Sequence, residues 1–323
     1  MRPSRSDEVV KRVVGWHVAR WADRRGVPFY CDSRLVGSFA VEPKLLAVGA
    51  PTALFKLFIT LSMYQGLRDV VVMRRQKSLG SSEVKVVADL ASVMNASSRH
   101  RCAALGSADS FVKMCTVEKA GKAVECATWR GVPCHVKEAT EVFNRMGDMG
   151  KLPTSAWLSA WRGDGLSKSL ARVCRDEPSP TKRADILVTQ FARIHRVGRK
   201  LATLFVSALT FPPLAPGLTP WYPEVDGSAL IVVDTNVARA VDILRGAGAS
   251  KSYHSREQWV RNQAARINLR AYHPELPSYS PRFVQEALYM FCSKSNRTAN
   301  EDACDGRLAP CGECASVLCP FSS

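Results

Sequence analysis

Four cysteines crowded near the C-terminal end constrain this chain more than any other feature. Cys304, Cys311, Cys314 and Cys319 are spaced C-x6-C-x2-C-x4-C within sixteen residues, and Cys292 stands twelve residues upstream of the first. A loop this tight buries little apolar surface of its own, so a cross-link or a metal centre has to hold it. Four thiolates converging from one short loop suit a [4Fe–4S] cluster. A tetrahedral zinc site more often draws on two C-x2-C pairs separated by a longer stretch. Disulfides or unrelated buried thiols are the remaining alternatives.

The 323 residues suffice for one large or two modest domains with real cores. Apolar residues make up 46% and charged residues 23%, ordinary values for a globular chain. The charge is not ordinary. Lys and Arg total 45 against 29 acidic residues, a net +16 with a pI near 9.6. Such an excess costs self-repulsion and points to an anionic partner, either nucleic acid or an anionic membrane surface. The basic residues are scattered along the chain, which predicts a broad basic face instead of a disordered arm. The opening MRPSRSDEVVKRVV has no apolar core segment of an export signal, and no run of 18 apolar residues occurs. The expectation is a reducing compartment, no membrane span, and free or buried thiols at Cys31, Cys102, Cys115, Cys126, Cys134 and Cys174.

Apolar residues recur at helical spacing through most of the chain and almost nothing alternates with period two, so the fold class is all-α. Residues 7–24 carry Val9, Val10, Val13, Val14, Ala19 and Trp21 on one stripe, ended by Gly26 and Pro28. Residues 51–64 form a strongly apolar helix opened by Pro51. The run SSEVKVVADLASVMN reads as one further helix, and residues 116–134 as a short hairpin or a loop. Helical patterns follow at 136–147, 154–162, 166–174 and 183–194, then at 237–244, 256–269 and 280–291. Between them, the proline-rich segment 211–228 reads as a stiff loop.

Two short segments carry candidate chemistry. Residues 194–202, IHRVGRKLA, join one helical run to the next through a glycine turn. A helix, a tight turn and a second helix can aim backbone N–H groups at a DNA phosphate; taken alone, the same pattern is more often a plain helical hairpin. Downstream, Asp234 in VVDTNVAR sits where a helix begins, a capping position that also fixes a carboxylate in space.

Taken together and in this order, the segments resemble the helix-hairpin-helix DNA glycosylases, a superfamily that includes endonuclease III and the plant 5-methylcytosine glycosylases. IHRVGRKLA is similar to their L-P-G-V-G-R-K-T-A hairpin, VVDTNVAR to their V-D-T-H/N-V-x-R segment, and the cysteine loop to their iron–sulfur loop, with one residue fewer in its last gap. PTALFKLFITLSMYQG resembles their helix ending in L-S-x-Q. The resemblance is specific over about 190–245 and 280–320. It implies that Lys200 is the nucleophile that attacks the sugar C1′ and that Asp234 stabilises the developing positive charge or takes a proton from the lysine. Such an amine must act in its neutral form, through desolvation or a basic neighbour, and Arg199 is adjacent. It further implies that Arg196, Val197, Gly198 and Arg199 meet the DNA backbone, and that Gln65, otherwise a polar residue at a helix end, fills the gap left by a flipped base.

The same resemblance implies a [4Fe–4S] cluster on Cys304, Cys311, Cys314 and Cys319. Cys292 is the alternative first ligand, because FCSKSNR is similar to the F-C-T-K-S-R-P-N-C of the plant enzymes. The chain departs from the family in three places. Arg196 replaces the first hairpin glycine; 33 residues separate Lys200 from Asp234, more than is usual; and Cys292 competes with Cys304. The implied architecture is a two-lobed glycosylase fold. Residues 1–50 are N-terminal helices packing with the C-terminal lobe, 51–249 a helical barrel with the hairpin at about 183–209, and 250–323 the iron–sulfur domain. The implied activity is base excision from double-stranded DNA, with a pyrimidine favoured as the base and AP lyase strand cleavage through a lysine Schiff base. The implied state is a monomer in a bacterial nucleoid or a eukaryotic nucleus. A non-catalytic DNA-binding protein that keeps the fold is the alternative, and a zinc-stabilised regulatory protein a third reading.

Overall fold

The computed structural model describes residues 4–23, 27–99, 101–144, 146 and 149–293. These residues are mostly helical, as the periodicity requires, with sixteen α-helical segments and one small β-hairpin of strands Glu118–Ala120 and Ala123–Glu125. No helix among the described residues is long and apolar enough to cross a membrane. The chain divides into two compact units, residues 27–225 and residues 1–26 with 226–323.

The larger unit is built around the helix Pro51–Ser62, in which Ala53 to Phe55 and Leu57 to Ser62 are all buried. A helix apolar on every side must be surrounded, and the surrounding residues are aromatic. Phe58 lies 5.0 Å from Phe205 and 5.3 Å from Trp161, ring centre to ring centre, and Phe191 lies 4.9 Å from Phe205. The Trp161 indole N–H donates to the Pro51 carbonyl at 3.1 Å, satisfying a polar group that burial would otherwise penalise. Residues 157–161 widen into a π-helical turn that carries Trp157 and Trp161 inward.

The run 81–95 breaks into Ser81–Ala88 and Leu90–Arg99 instead of forming one helix. Asp89 is extended, and its carboxylate accepts from the Ala91 N–H at 3.0 Å and the Ser92 hydroxyl at 3.1 Å. A short acidic side chain satisfies helix-start donors better than it serves a helix interior, and here that preference ends one helix and starts the next.

The division of the chain differs from the expected boundaries at 51 and 249. Residues 27–50 belong with the larger unit. Tyr30, Val36, Phe39 and Leu46 are buried there, and the Phe39 carbonyl accepts from the Thr60 hydroxyl at 3.3 Å. Gly37 permits part of this packing: it has φ +60°, and a Cβ on it would stand 3.0 Å from the Lys77 backbone. At the other end, residues 226–249 fold with the second unit, because the helix Thr235–Arg245 packs on Pro281–Cys292.

In that second unit the helix Arg5–Asp23 lies along Pro281–Cys292. It buries Val9, Val10, Val13, Val14 and Val18, while Ala19 falls on the exposed side. Trp16 meets Phe291 edge-on at 5.3 Å, and Arg266 pairs with Asp7 at 2.6 Å.

Candidate functional site

The helical hairpin is present in the larger unit. Pro180–Phe191 leads through a turn into Arg199–Thr210, and these two helices make an extensive mutual contact. Two buried residues, Ile194 and Val197, pin the turn to the core, and the Val197 N–H donates to the Ile194 carbonyl at 2.9 Å. The Ser155 hydroxyl accepts from the His195 N–H at 3.1 Å and fixes the entry to the turn. Arg196 adopts φ +64°, the one non-glycine positive φ among the described residues. Arg196 stands where the resemblance puts a glycine, so an arginine carries the steric cost of this left-handed backbone.

Gly198 caps the second helix with φ −86° and ψ 175°, a conformation open to any residue. A Cβ there would meet no protein atom within 4 Å. Neither strain nor internal packing calls for glycine at this position. What its missing side chain does is leave the start of a twelve-residue helix bare to close approach from outside. Arg196 and Arg199 are exposed on either side of it, and Arg199 pairs with Asp185 at 3.5 Å.

Lys200 lies in the first turn of that helix, half-buried, and its Nζ donates to the Tyr64 carbonyl at 3.3 Å. Tyr64 itself is buried, and burial pushes its phenol well above the ordinary value. The next residue is Gln65, whose side-chain amide donates to the Ser62 carbonyl at 2.8 Å. The fold thus brings Lys200 to the segment that carries Gln65, and Gln65 is folded back onto the end of its own helix.

Asp234 occupies the expected cap position in the second unit. Its Oδ1 accepts from the Val237 N–H at 2.7 Å at the start of Thr235–Arg245. Two side chains that the sequence pattern does not single out hold the strand-like residues before it. The Tyr253 hydroxyl accepts from the Val233 N–H at 3.3 Å and donates to the Ile231 carbonyl at 3.0 Å. Gln285 Oε1 accepts from the Val232 N–H at 3.2 Å and from the buried Arg282 guanidinium. Arg282 also pairs with Glu286 at 2.8 Å. Nothing local in the sequence marks Tyr253 or Gln285: the first precedes the helical pattern at 256–269, the second reads as an ordinary helix residue, and they act over 20 and 53 positions.

Cys304, Cys311, Cys314 and Cys319 lie outside the described residues. Cys292 is described, fully buried as the last residue of Pro281–Cys292. Among the described residues, no group of three or more His, Cys, Asp or Glu side chains already stands in coordinating geometry. The proline-rich loop turns back on Arg199–Thr210, with the Trp221 N–H donating to the Leu209 carbonyl at 3.1 Å. Of its aromatic residues, Phe211 and Trp221 are buried, and Trp221 stacks on Phe191 at 6.3 Å; Tyr222 is exposed. The comparisons bring no relative to set beside this geometry: no family model, no curated protein and no solved structure matches the chain.

Proposed function

We propose that this chain is a DNA glycosylase of the helix-hairpin-helix kind, with AP lyase activity that works through Lys200. The observation that carries the reading is the hairpin turn. It has left-handed backbone at Arg196 and a bare glycine at the helix start, and it sets a lysine two residues later beside the Gln65 segment. The net charge of +16 supplies the attraction to a polyanion.

In this reading the hairpin N–H groups and arginines grip the DNA backbone, and one nucleotide is flipped out at a cost of a few kcal/mol, least at a damaged or modified base. The Lys200 amine forms a bond to C1′ as the glycosidic bond breaks and the base departs with the bonding pair. Asp234 stabilises the positive charge that develops on the sugar. Ring opening gives a Schiff base, and loss of the C2′ proton then expels the 3′ phosphate and nicks the strand. The favoured substrate is a pyrimidine altered at C5 or by oxidation.

The two-lobed architecture and the iron–sulfur loop belong to the same proposal. Cys304, Cys311, Cys314 and Cys319 would hold a [4Fe–4S] cluster, with Cys292 as the alternative first ligand, and the cluster would supply a fold staple for residues that have little core of their own. Four thiols in one loop suit that group. The anaerobically purified protein should be brown, with about four irons per chain. Colour loss in Cys292→Ser but not in Cys304→Ser would reassign the first ligand.

Borohydride added during turnover tests the activity. With duplexes carrying 5-substituted cytosine, thymine glycol, uracil or 8-oxoguanine, a covalent protein–DNA adduct should accumulate on at least one pyrimidine substrate. Tight, salt-sensitive DNA binding with no base release from any duplex would favour the non-catalytic alternative instead.

A further inference from the structure

The four cysteines at 102, 115, 126 and 134 show no pairing logic in the sequence, yet the fold gathers them. All four line one cavity of about 170 Å³, together with His135. Cys115 and Cys126 flank the base of the small hairpin, and Cys134 caps the helix His135–Val142.

Three features mark this cavity as more than a gap in packing. The first is the concentration of donors itself, four thiols and one imidazole around a single cavity. Next, His135 is 4% exposed and its Nε2 is buried with no hydrogen-bond partner, a cost that a ligand to that nitrogen would remove. Finally, the local core is small: Ala104, Phe111, Val117, Cys126 and Val136 are buried, with Leu105, Val124 and Leu158 partly buried against them. A hairpin with three-residue strands on so small a core is marginal without a staple.

We propose that Cys115, Cys126 and Cys134, completed by Cys102 or His135, bind a zinc-class divalent ion that staples residues 102–136. The ion is distinct from any cluster in the C-terminal loop, and the inference does not depend on the glycosylase reading. Thiolate-rich donor sets select soft ions of this kind. No three of these donors already stand in coordinating geometry, so capture requires their side chains to turn into the cavity they line.

The test is elemental analysis of the full chain, with zinc and iron counted separately. About one zinc per chain is expected, retained in the double variant Cys311→Ser/Cys314→Ser and lost in Cys115→Ser/Cys134→Ser. Cys102→Ser and His135→Gln identify the fourth donor, whichever of them loses the ion. Because the cavity variants can misfold, cobalt(II) exchanged into Cys311→Ser/Cys314→Ser gives a second readout, thiolate-to-cobalt charge-transfer absorption. Chelation should then speed proteolysis within 102–136 by about tenfold or more, while cleavage elsewhere is unchanged. A zinc-free chain, zinc that disappears only with Cys311 and Cys314, or intact masses showing disulfides among the four cysteines would each overturn the proposal.

Discussion

The side-chain nitrogen of Lys200 donates to the main-chain carbonyl of Tyr64 at 3.3 Å, across 136 positions of sequence. That contact ties the second helix of the hairpin to the end of the helix that precedes Gln65. A hydrogen bond of this length from a half-exposed lysine contributes less than about 1 kcal/mol. Lys200→Gln should therefore leave the denaturation midpoint nearly unchanged and DNA affinity within a few-fold, while abolishing borohydride trapping. Trapping that survives in the variant would remove Lys200 as the nucleophile.

Arg196 bears the steric cost of its φ of +64°. Arg196→Gly should stabilise the protein by up to about 1 kcal/mol, because the left-handed penalty exceeds the entropy glycine brings. The same change removes a cation from the exposed turn. With roughly five to eight phosphate contacts, the log–log dependence of DNA binding on salt should have a slope of about −4.5 to −7, and Arg196→Gly or Arg199→Ala should each flatten it by about one. Unaltered slopes in both variants would separate these arginines from the DNA backbone.

The Tyr253 hydroxyl bridges Ile231 and Val233 immediately before Asp234, so in the proposed reaction it would act through Asp234 as a positioning residue. Tyr253→Phe leaves a buried N–H and a buried carbonyl without their partner, at a cost of about 1–2 kcal/mol. The single-turnover rate of base release should fall about tenfold with DNA affinity within twofold, since a shifted carboxylate weakens the transition state more than the ground-state complex. A loss of stability with no loss of rate would assign Tyr253 to folding alone.

Asp242 and Arg256 join neighbouring helices of the second unit through bonds of 2.9 and 2.7 Å. The Arg256 guanidinium holds the Asp242 carboxyl below the usual carboxylate value. With the folded-state value depressed, the stabilisation is present above the unfolded value of about 3.9 and is lost as pH falls through the folded one. Asp242→Asn should cost about 1 kcal/mol near neutrality and flatten the stability profile below about pH 4. Identical acid limbs for the two proteins would show that the pair contributes nothing.

The aromatic residues of the proline-rich loop do not share one role. Phe211 and Trp221 belong to the core of the larger unit, whereas Tyr222 is 47% exposed. Shortening the loop would uncover Phe191 and Phe205 and destabilise the unit, so base preference is better tested at a single position. If the loop contacts a base, Tyr222→Ala should change the ratio of excision rates among the four duplexes several-fold while general affinity moves less. An unchanged ratio would leave the loop a structural role only.

Helical class, the apolar helix at 51–62, the hairpin and the capping position of Asp234 were all legible in the sequence. Each rests on local rules: periodicity, a first-turn proline, a glycine turn, an acidic cap. The domain boundaries were not, because burial of Phe39 against Thr60 and of the 235–245 helix against 281–292 are long-range choices that leave no periodic trace. Nor could the sequence show that Arg196 would adopt a positive φ, since that depends on Ile194 and Val197 being anchored in the core. The dispersed cysteines make the same point. Chain spacing separates 102, 115, 126 and 134 by irregular gaps, and only the tertiary fold gathers them around one cavity with His135. What a residue does alone is set by its neighbours in sequence; which residues act together is set by packing, and packing is decided by the whole chain.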